Sequence, residues 1–595
     1  MKIATRILVV LILVLCHFQS SYLQVWTNVI LYLVIAVLFG LTTIDIWKSN
    51  ADFKITVPEI LIGVFIVYLI ANNALKGTLL GNERFLNYLI CFSIYIPLKY
   101  LNKRDNKLIE YVFCGILLGL SIELTVGFGQ LFGLVPSSNS RFVLSGLFGN
   151  PGAFGGYLAI VFPILLASVI IYKDRFKSEN LLYAVILGLC CTLCLLILSD
   201  SRGAWLGTFV GTLFVFNHKF RIVEYATIIL KSKASKRIAS ITLTISIIFI
   251  CFALYQYKPE SAFGRLFIWK TSKSMTLDNP MTGNGFGFFK SNYGKTQAQY
   301  FLNNIASKNE IQVADYVTLA YNEFLEMLIE SGIIGLILFL SIIYFALLKR
   351  RNQNNAKYHL AAKASLISLL VLSMVSYPFR FMPNLLTMAV CLFVLLNSNN
   401  FRKYTIPKYK KTFISVALLC VLGILLLCFR QNYGKYHFRT GYSKVLSSDI
   451  DNGITSYKKA LPILQNNGEF LFYIGSAYYQ KQNFPECIRY LKRATALSSE
   501  PNSFITLGNA LKEEKRYKEA EQAYLTASGI TPSKLYPKYL LAKLYIEMKE
   551  TDKALDMATF ITDTNEKVPT TAGTQIKDEM HNYITQITKT LNMEL

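Results

Sequence analysis

Apolar runs of about 20 residues recur from near the N-terminus to residue 428. That is the length a helix needs to cross a bilayer. Thirteen such segments can be placed, at 6–23, 27–47, 57–73, 85–101, 108–133, 153–172, 180–198, 203–217, 239–257, 319–348, 361–378, 383–398 and 412–428. Composition agrees: 53% of the 595 residues are hydrophobic and 16% charged, against about 25% charged in a soluble domain. A single soluble domain and a disordered chain are both excluded. The expected fold is all-α: a polytopic membrane domain of about 12–13 spans over 1–429, then a soluble helical array over 430–595.

Most of the net charge of +25 sits in the membrane part, with 39 Lys/Arg against 18 Asp/Glu in 1–429 and 22 against 18 in 430–595. These charges lie in loops between spans, so they mark topology rather than nucleic acid. With a cytoplasmic N-terminus, the richest inside loops hold Lys99-Lys103-Arg104-Lys107, Lys173-Arg175-Lys177, Lys219-Arg221, Lys231-Lys233-Lys236-Arg237, Lys349-Arg350-Arg351 and Arg402-Lys403-Lys408-Lys410-Lys411. An odd span count then places a long loop, about 258–318, and the C-terminal array on the far side of a cytoplasmic (inner) membrane. Lys2 to Arg6 and the apolar run after it resemble a signal peptide, but no small-x-small cleavage site follows, and the segment reads as an uncleaved first span.

Cys190, Cys191 and Cys194 form a C-C-x-x-C run inside a span with no second Cys/His pair nearby. This reads as helix packing rather than a redox or zinc site. The five histidines, His17, His218, His359, His437 and His581, are scattered. No metal site and no cofactor are expected.

The C-terminal part repeats. Gly441, Gly475, Gly508 and Ala542 are spaced 34, 33 and 34 residues apart, and Cys487, Ala520 and Ala554 form a second small column. The period and the small positions resemble tetratricopeptide repeats, an α-solenoid. Such an array offers a surface for a protein or glycan partner, or caps the membrane domain.

Arginines recur on the far side: Arg141 in R-F-V-L-S-G-L-F-G-N-P-G, Arg202 in S-D-S-R-G-A-W-L-G, Arg265 in R-L-F-I-W-K and Arg380 in S-Y-P-F-R-F-M-P-N. Arginine at membrane depth is costly and is paired or functional. Several on one face make an anion site, and guanidinium groups grip a diphosphate bidentately. Snorkelling to headgroups is the alternative for any one of them. Gly203, Gly207 and Gly211 have the spacing of close helix packing.

Four motifs in order, G-L-F-G-N-P-G-A-F-G-G-Y-L-A-I (146–160), S-R-G (201–203), G-R-L-F-I-W-K…D-N-P-M-T-G-N-G-F-G-F-F (264–289) and A-Y-N-E-F-L-E-M-L-I-E-S-G-I-I-G (320–335), resemble the O-antigen ligase superfamily over about 110–400. That superfamily includes O-antigen ligases, O-antigen polymerases and protein O-oligosaccharyltransferases. The resemblance implies a metal-independent membrane glycosyltransferase that moves a glycan from undecaprenyl diphosphate to an acceptor hydroxyl. By position Arg202 and Arg265 match the family's diphosphate ligands; Arg141, Asn150 and Arg380 are further candidates for binding diphosphate or glycan. The family has a histidine before the asparagine of its H-N motif, where this chain has Tyr321-Asn322. A tyrosine of pKa near ~10 is a poor base at neutral pH. The open alternatives are a carboxylate among Glu323, Glu326 and Glu330, proton uptake by the departing diphosphate, or loss of activity. A second departure is Gly152, where the family often has Asn.

The leading reading is a ligase with a lipid A-core acceptor. A protein acceptor is its rival, with the repeats holding polypeptide, and a polysaccharide polymerase is third. A flippase needs polar residues spread through the midplane, and a membrane-anchored scaffold needs only one span.

Overall fold

The computed structural model describes residues 2–20, 24–48, 54–78, 82–105, 107–171, 173, 178–230, 232–303, 306–348, 358–398, 401–405, 410–564, 566 and 569–594. Arg175, Lys177, Lys231, Lys349, Arg350, Arg351 and Lys408, read above as inside-loop charges, lie outside the described residues. Nearly all the rest is helix. The strands among the described residues are a short antiparallel pair, Lys54–Thr56 with Lys403–Thr405. Among the described residues, six helices are long and apolar enough to cross a membrane: Thr27–Lys48, Val57–Leu75, Leu108–Leu131, Pro151–Ile171, Glu179–Leu198 and Glu323–Leu347. The chain is an all-α, multi-pass membrane protein with a helical repeat array at its C-terminal end.

Several elements differ from the plain apolar segments. The run at 85–101 is two helices, Glu83–Ser93 and Tyr95–Arg104. The last apolar run belongs to a helix, Lys410–Leu446, that continues into the first repeat. The Glu323–Leu347 helix is broken at Gly332, with φ 64°. Only glycine takes that conformation without a steric cost, and Tyr68 Oη donates to the carbonyl of Ser331 beside the break at 2.6 Å.

The chain divides into two compact units: Met1–Tyr257 with Tyr321–Asn432, and Lys258–Ala320 with Tyr433–Leu595. In the first, the Pro151–Ile171 helix is buried for most of its length. Small residues let its neighbours approach. A Cβ on Gly207 would lie 2.9 Å from the Ser368 carbonyl, and one on Gly211 2.7 Å from Pro163 Cγ. Ser365 Oγ and Ser368 Oγ donate to the carbonyls of Ile160 and Ala159, both at 2.7 Å. Close approach and interhelical hydrogen bonds bind helices where lipid supplies no hydrophobic drive.

In the second unit, paired helices stack through the two small columns. A Cβ on Gly508 would meet Tyr524 Cε1 at 2.4 Å, and one on Gly475 would meet Leu491 Cγ at 2.8 Å. Cys487, Ala520 and Ala554 are fully buried. The segment 258–320 folds with this array. Its helix Phe288–Asn303 lies on the Tyr517–Ile530 helix, where a Cβ on Gly529 would sit 2.7 Å from Ala298 Cα. Gln297 Nε2 donates to the Ile530 carbonyl at 2.7 Å, and Ser499 Oγ to the Ser291 carbonyl at 2.7 Å. Lys295 Nζ donates to the Ala496 carbonyl at 2.9 Å, at the C-terminal end of the Phe484–Leu497 helix, where the helix dipole favours a cation. Burial pulls the Lys295 ammonium down to about 8.

Gly529→Leu drives a side chain into the Ala298 backbone, an overpacking cost of about 1–3 kcal/mol. Hydrogen exchange on the full chain should show residues 288–303 exchanging faster while 467–500 stays protected. Unchanged exchange at 288–303 would refute the docking.

Candidate functional site

Three motif segments of the first unit start helices with a strained residue or a side-chain cap. Asn150 precedes Pro151, and its Oδ1 accepts from the N–H groups of Gly152 (2.8 Å) and Ala153 (3.4 Å). Asn322 caps the Glu323–Leu347 helix by accepting from Phe324 N and Leu325 N at 3.1 and 3.0 Å. Arg202 opens its own helix two residues after Asp200. Asp200 and Tyr321 both have φ 52°, a left-handed conformation that costs non-glycine residues roughly 1–3 kcal/mol and gathers at functional sites.

Behind Tyr321-Asn322 lies a buried ionic cluster. Glu323, Glu326 and Glu330 follow one another at helical spacing and are each 1% exposed. Arg84, from the Glu83–Ser93 helix, enters among them. Its Nη1 donates to Glu326 Oε1 at 2.6 Å and to Glu330 Oε2 at 2.8 Å, and its Nη2 to Glu323 Oε2 at 3.2 Å. Glu326 also pairs with Arg380 Nη2. Glu323 Oε1 accepts from Phe379 N at 2.7 Å, which fixes the turn Pro378–Arg380. Arg380 keeps a fifth of its side chain exposed, whereas Arg84 is buried. The cluster therefore presents one guanidinium and hides the other.

The same turn carries Tyr377. Its hydroxyl donates to Asn150 Oδ1 at 3.0 Å, and its ring stands edge-on to Tyr321 at 5.3 Å. Asn150, Tyr321, Asn322, Glu323 and Arg380 are thus joined into one group, with Arg84, Glu326, Glu330 and Tyr377 added. Arg202 Nη1 donates to the Leu254 carbonyl at 2.5 Å. Its turn approaches the Pro151–Ile171 helix at Gly155, where a Cβ would lie 2.4 Å from Ser199 Oγ. Arg141 is exposed, and its amide donates to Asn139 Oδ1 at 3.1 Å.

Arg265 belongs to the second unit, on the Pro259–Leu277 helix. That helix is pinned downstream: Trp269 Nε1 donates to the Ala320 carbonyl at 2.8 Å, and Lys270 Nζ to Glu310 Oε1 at 2.7 Å. Glu310 also closes a capping box, accepting from Ser307 N at 3.0 Å while its own N–H donates to Ser307 Oγ at 3.3 Å. Partial burial opposes ionisation of Glu310, but hydrogen bonds from Lys270, Ser307 and Tyr300 outweigh it and pull the carboxyl down to about 2.

Residues 152–340 match the family model for O-antigen ligase, and residues 501–534 match a tetratricopeptide repeat. Over that stretch the chain is similar to O-antigen ligases. It is 26% identical over 224 residues to a Rickettsia bellii protein named "Putative polysaccharide ligase", a match covering 36% of this chain and 50% of the relative. A Rickettsia conorii protein named in the same way is 28% identical over 222 residues, covering 35% and 49%. The chain spans about half the length of the curated relatives it matches. A crystal structure of MamA aligns with 26% of this chain and 95% of its own length at 23% identity and a TM-score of 0.21.

The stretch matched by the O-antigen ligase model holds Arg202, Arg265, Tyr321, Asn322 and Glu323. It leaves out Arg84 and the turn at Tyr377–Arg380. Arg84 stands at the edge of the apolar run at 85–101, where the signal in the sequence is an arginine at membrane depth. Tyr377 lay in a quoted motif whose arginine alone was singled out.

Replacing Arg84 by Met takes from three buried carboxylates the guanidinium they share, a loss of about 3–5 kcal/mol. Folded protein recovered from membranes should fall sharply, and undiminished recovery would show that the pairs carry little. A depressed carboxyl stabilises above its unfolded pKa of about 4.3, and that contribution fades as pH falls towards 2. Protection of the 308–313 segment, measured as exchange relative to the intrinsic rate at each pH, should therefore fall on going from pH 6 to pH 3, and Glu310→Gln should remove most of that fall.

Proposed function

We propose that this protein is a membrane glycosyltransferase of the ligase type, taking a glycan from undecaprenyl diphosphate to the hydroxyl of a lipid A-core acceptor. The observation that supports it best is Arg380, held by Glu326 with part of its surface open, beside Asn150, Tyr377 and Tyr321. Arg202 would serve the diphosphate with it; the part of Arg265 rests on its motif R-L-F-I-W-K alone. On this reading the enzyme lies in the inner membrane with its N-terminus cytoplasmic and its repeats on the far side.

The acceptor oxygen attacks the anomeric carbon, the bond from that carbon to the diphosphate breaks, and its electron pair leaves with the diphosphate. Arginines at the leaving group stabilise the charge as it grows. Glu323, Glu326 and Glu330 are committed to Arg84, Arg380 and the Phe379 amide, so their role is positioning. The acceptor proton goes to the released diphosphate. The repeat array supports a second reading, in which the acceptor hydroxyl belongs to a protein held by the array.

Arg380→Ala and Arg202→Ala should each lower transfer by roughly 10²-fold, the loss typical of one stabilising donor. Arg380→Lys should recover only part, because an ammonium is a point charge without the planar fork. The assay is a deletion strain complemented with each variant, its lipopolysaccharide and glycoproteins compared on gels. Loss of long-chain lipopolysaccharide supports the ligase, and loss of glycoprotein sugar with intact lipopolysaccharide supports the second reading. Full activity in Arg380→Ala would overturn the assignment of this site.

A further inference from the structure

We propose that His17 and Glu123 form a buried lock that sets the position of the 145–150 loop, and so of Asn150. His17 Nδ1 donates to Glu123 Oε1 at 2.8 Å, with the two side chains 2% and 0% exposed. The pair comes from outside the residues matched to the ligase family: His17 follows the Lys2–Leu15 helix, and Glu123 lies within the Leu108–Leu131 helix.

Glu123 has two tasks. Oε1 takes the histidine, and Oε2 accepts the backbone N–H of Leu147 at 3.0 Å. Two turns on, Gln130 Oε1 accepts from Ser145 N and Gly146 N, both at 2.9 Å, and its Nε2 donates to the Gly146 carbonyl at 3.0 Å. One helix thus satisfies four backbone groups of three successive loop residues. The fit leaves no slack. Gly146 is left-handed at φ 55°, and a Cβ there would lie 2.6 Å from Glu123 Oε2. A Cβ on Gly119 would lie 2.5 Å from His17 Nε2. The imidazole also meets the loop directly, with the Phe148 ring edge-on at 6.3 Å and the Tyr157 ring at 4.8 Å.

A buried carboxyl group needs hydrogen-bond partners to stay fixed. His17 is one such partner, so removing it frees Glu123 to turn away from Leu147. The loop ends at Asn150, whose Oδ1 both starts the Pro151–Ile171 helix and receives Tyr377 Oη. His17 and Glu123 are positioning residues: they act on the site through that loop. That the loop serves glycan transfer rests on the proposed function; the lock itself does not.

The test uses the full chain in lipid nanodiscs, with hydrogen exchange read on peptides covering 145–150 and, as a fold control, 501–534. His17→Asn places an amide N–H close to the position of Nδ1. His17→Gln carries its amide further out, towards Nε2, and His17→Leu carries none. Asn should keep loop exchange within about threefold of the parent, whereas Gln and Leu should raise it about tenfold or more, the scale of one lost charge-assisted hydrogen bond. The transfer assay should follow, with kcat falling about tenfold in Gln and Leu and KM moving less than about threefold. If Leu does not fold, the Asn–Gln contrast decides. Equal loop exchange in Asn and Gln, or unchanged exchange in Leu, overturns the lock. A parent chain that transfers no glycan removes the reading of the reaction and leaves the exchange result to decide the lock.

Discussion

The first unit is organised around one guanidinium buried among three carboxylates. Taking such charges out of water costs several kcal/mol per ion unless geometry and hydrogen bonds return it. Arg84 meets that condition by spending its Nη atoms on Glu323, Glu326 and Glu330. The partners come from helices some 240 residues apart in sequence, so the pairing fixes which helices are neighbours as well as how tightly they hold. Its consequences run outward by single bonds. Glu323 holds the Phe379 amide, the turn at 378–380 follows, and that turn delivers Arg380 and Tyr377.

Glycines determine how close the other pieces come. Gly155 lets the turn before Arg202 reach the Pro151–Ile171 helix, and Gly207 and Gly211 let the Arg202 helix lie against the backbone of His359–Val375. The glycines of G-L-F-G-N-P-G do different work. Gly146 and Gly149 have φ of 55° and 68°, so the loop can fold back onto Glu123 and Gln130. Motifs that look alike as strings of glycine thus separate into packing and backbone conformation.

The periodic features were legible in the sequence. Apolar length gave the membrane class, and a spacing near 34 residues gave the repeat array, because each is a local pattern repeated many times. The contacts within the site were less legible. Arg84 and His17 look like ordinary loop and span-end residues until a distant carboxylate is beside them. The grouping of 258–320 with the repeats rests on Gly294, Ala298 and Gly529, small residues that carry no periodic signal across so long a separation. Arg265 was read beside Arg202 from motif order, yet the two belong to different units of the chain, which motif order does not report.

Tyr321 stands where the resemblance to O-antigen ligases calls for a histidine. It is held at φ 52°, which a residue with a Cβ adopts at a cost. The next residue offsets that cost, because Asn322 can cap two amides only if the chain turns sharply just before it. The conformation therefore serves the helix start, whatever side chain stands at 321. The ring packs edge-on against Tyr377. On the proposed reaction no base is then needed at this position. The three carboxylates nearby already accept from guanidinium or amide N–H groups, and a diphosphate gains basicity as its bond to the sugar breaks. A histidine would speed the step by general-base catalysis, and its absence puts more of the work on the arginines that stabilise the leaving group.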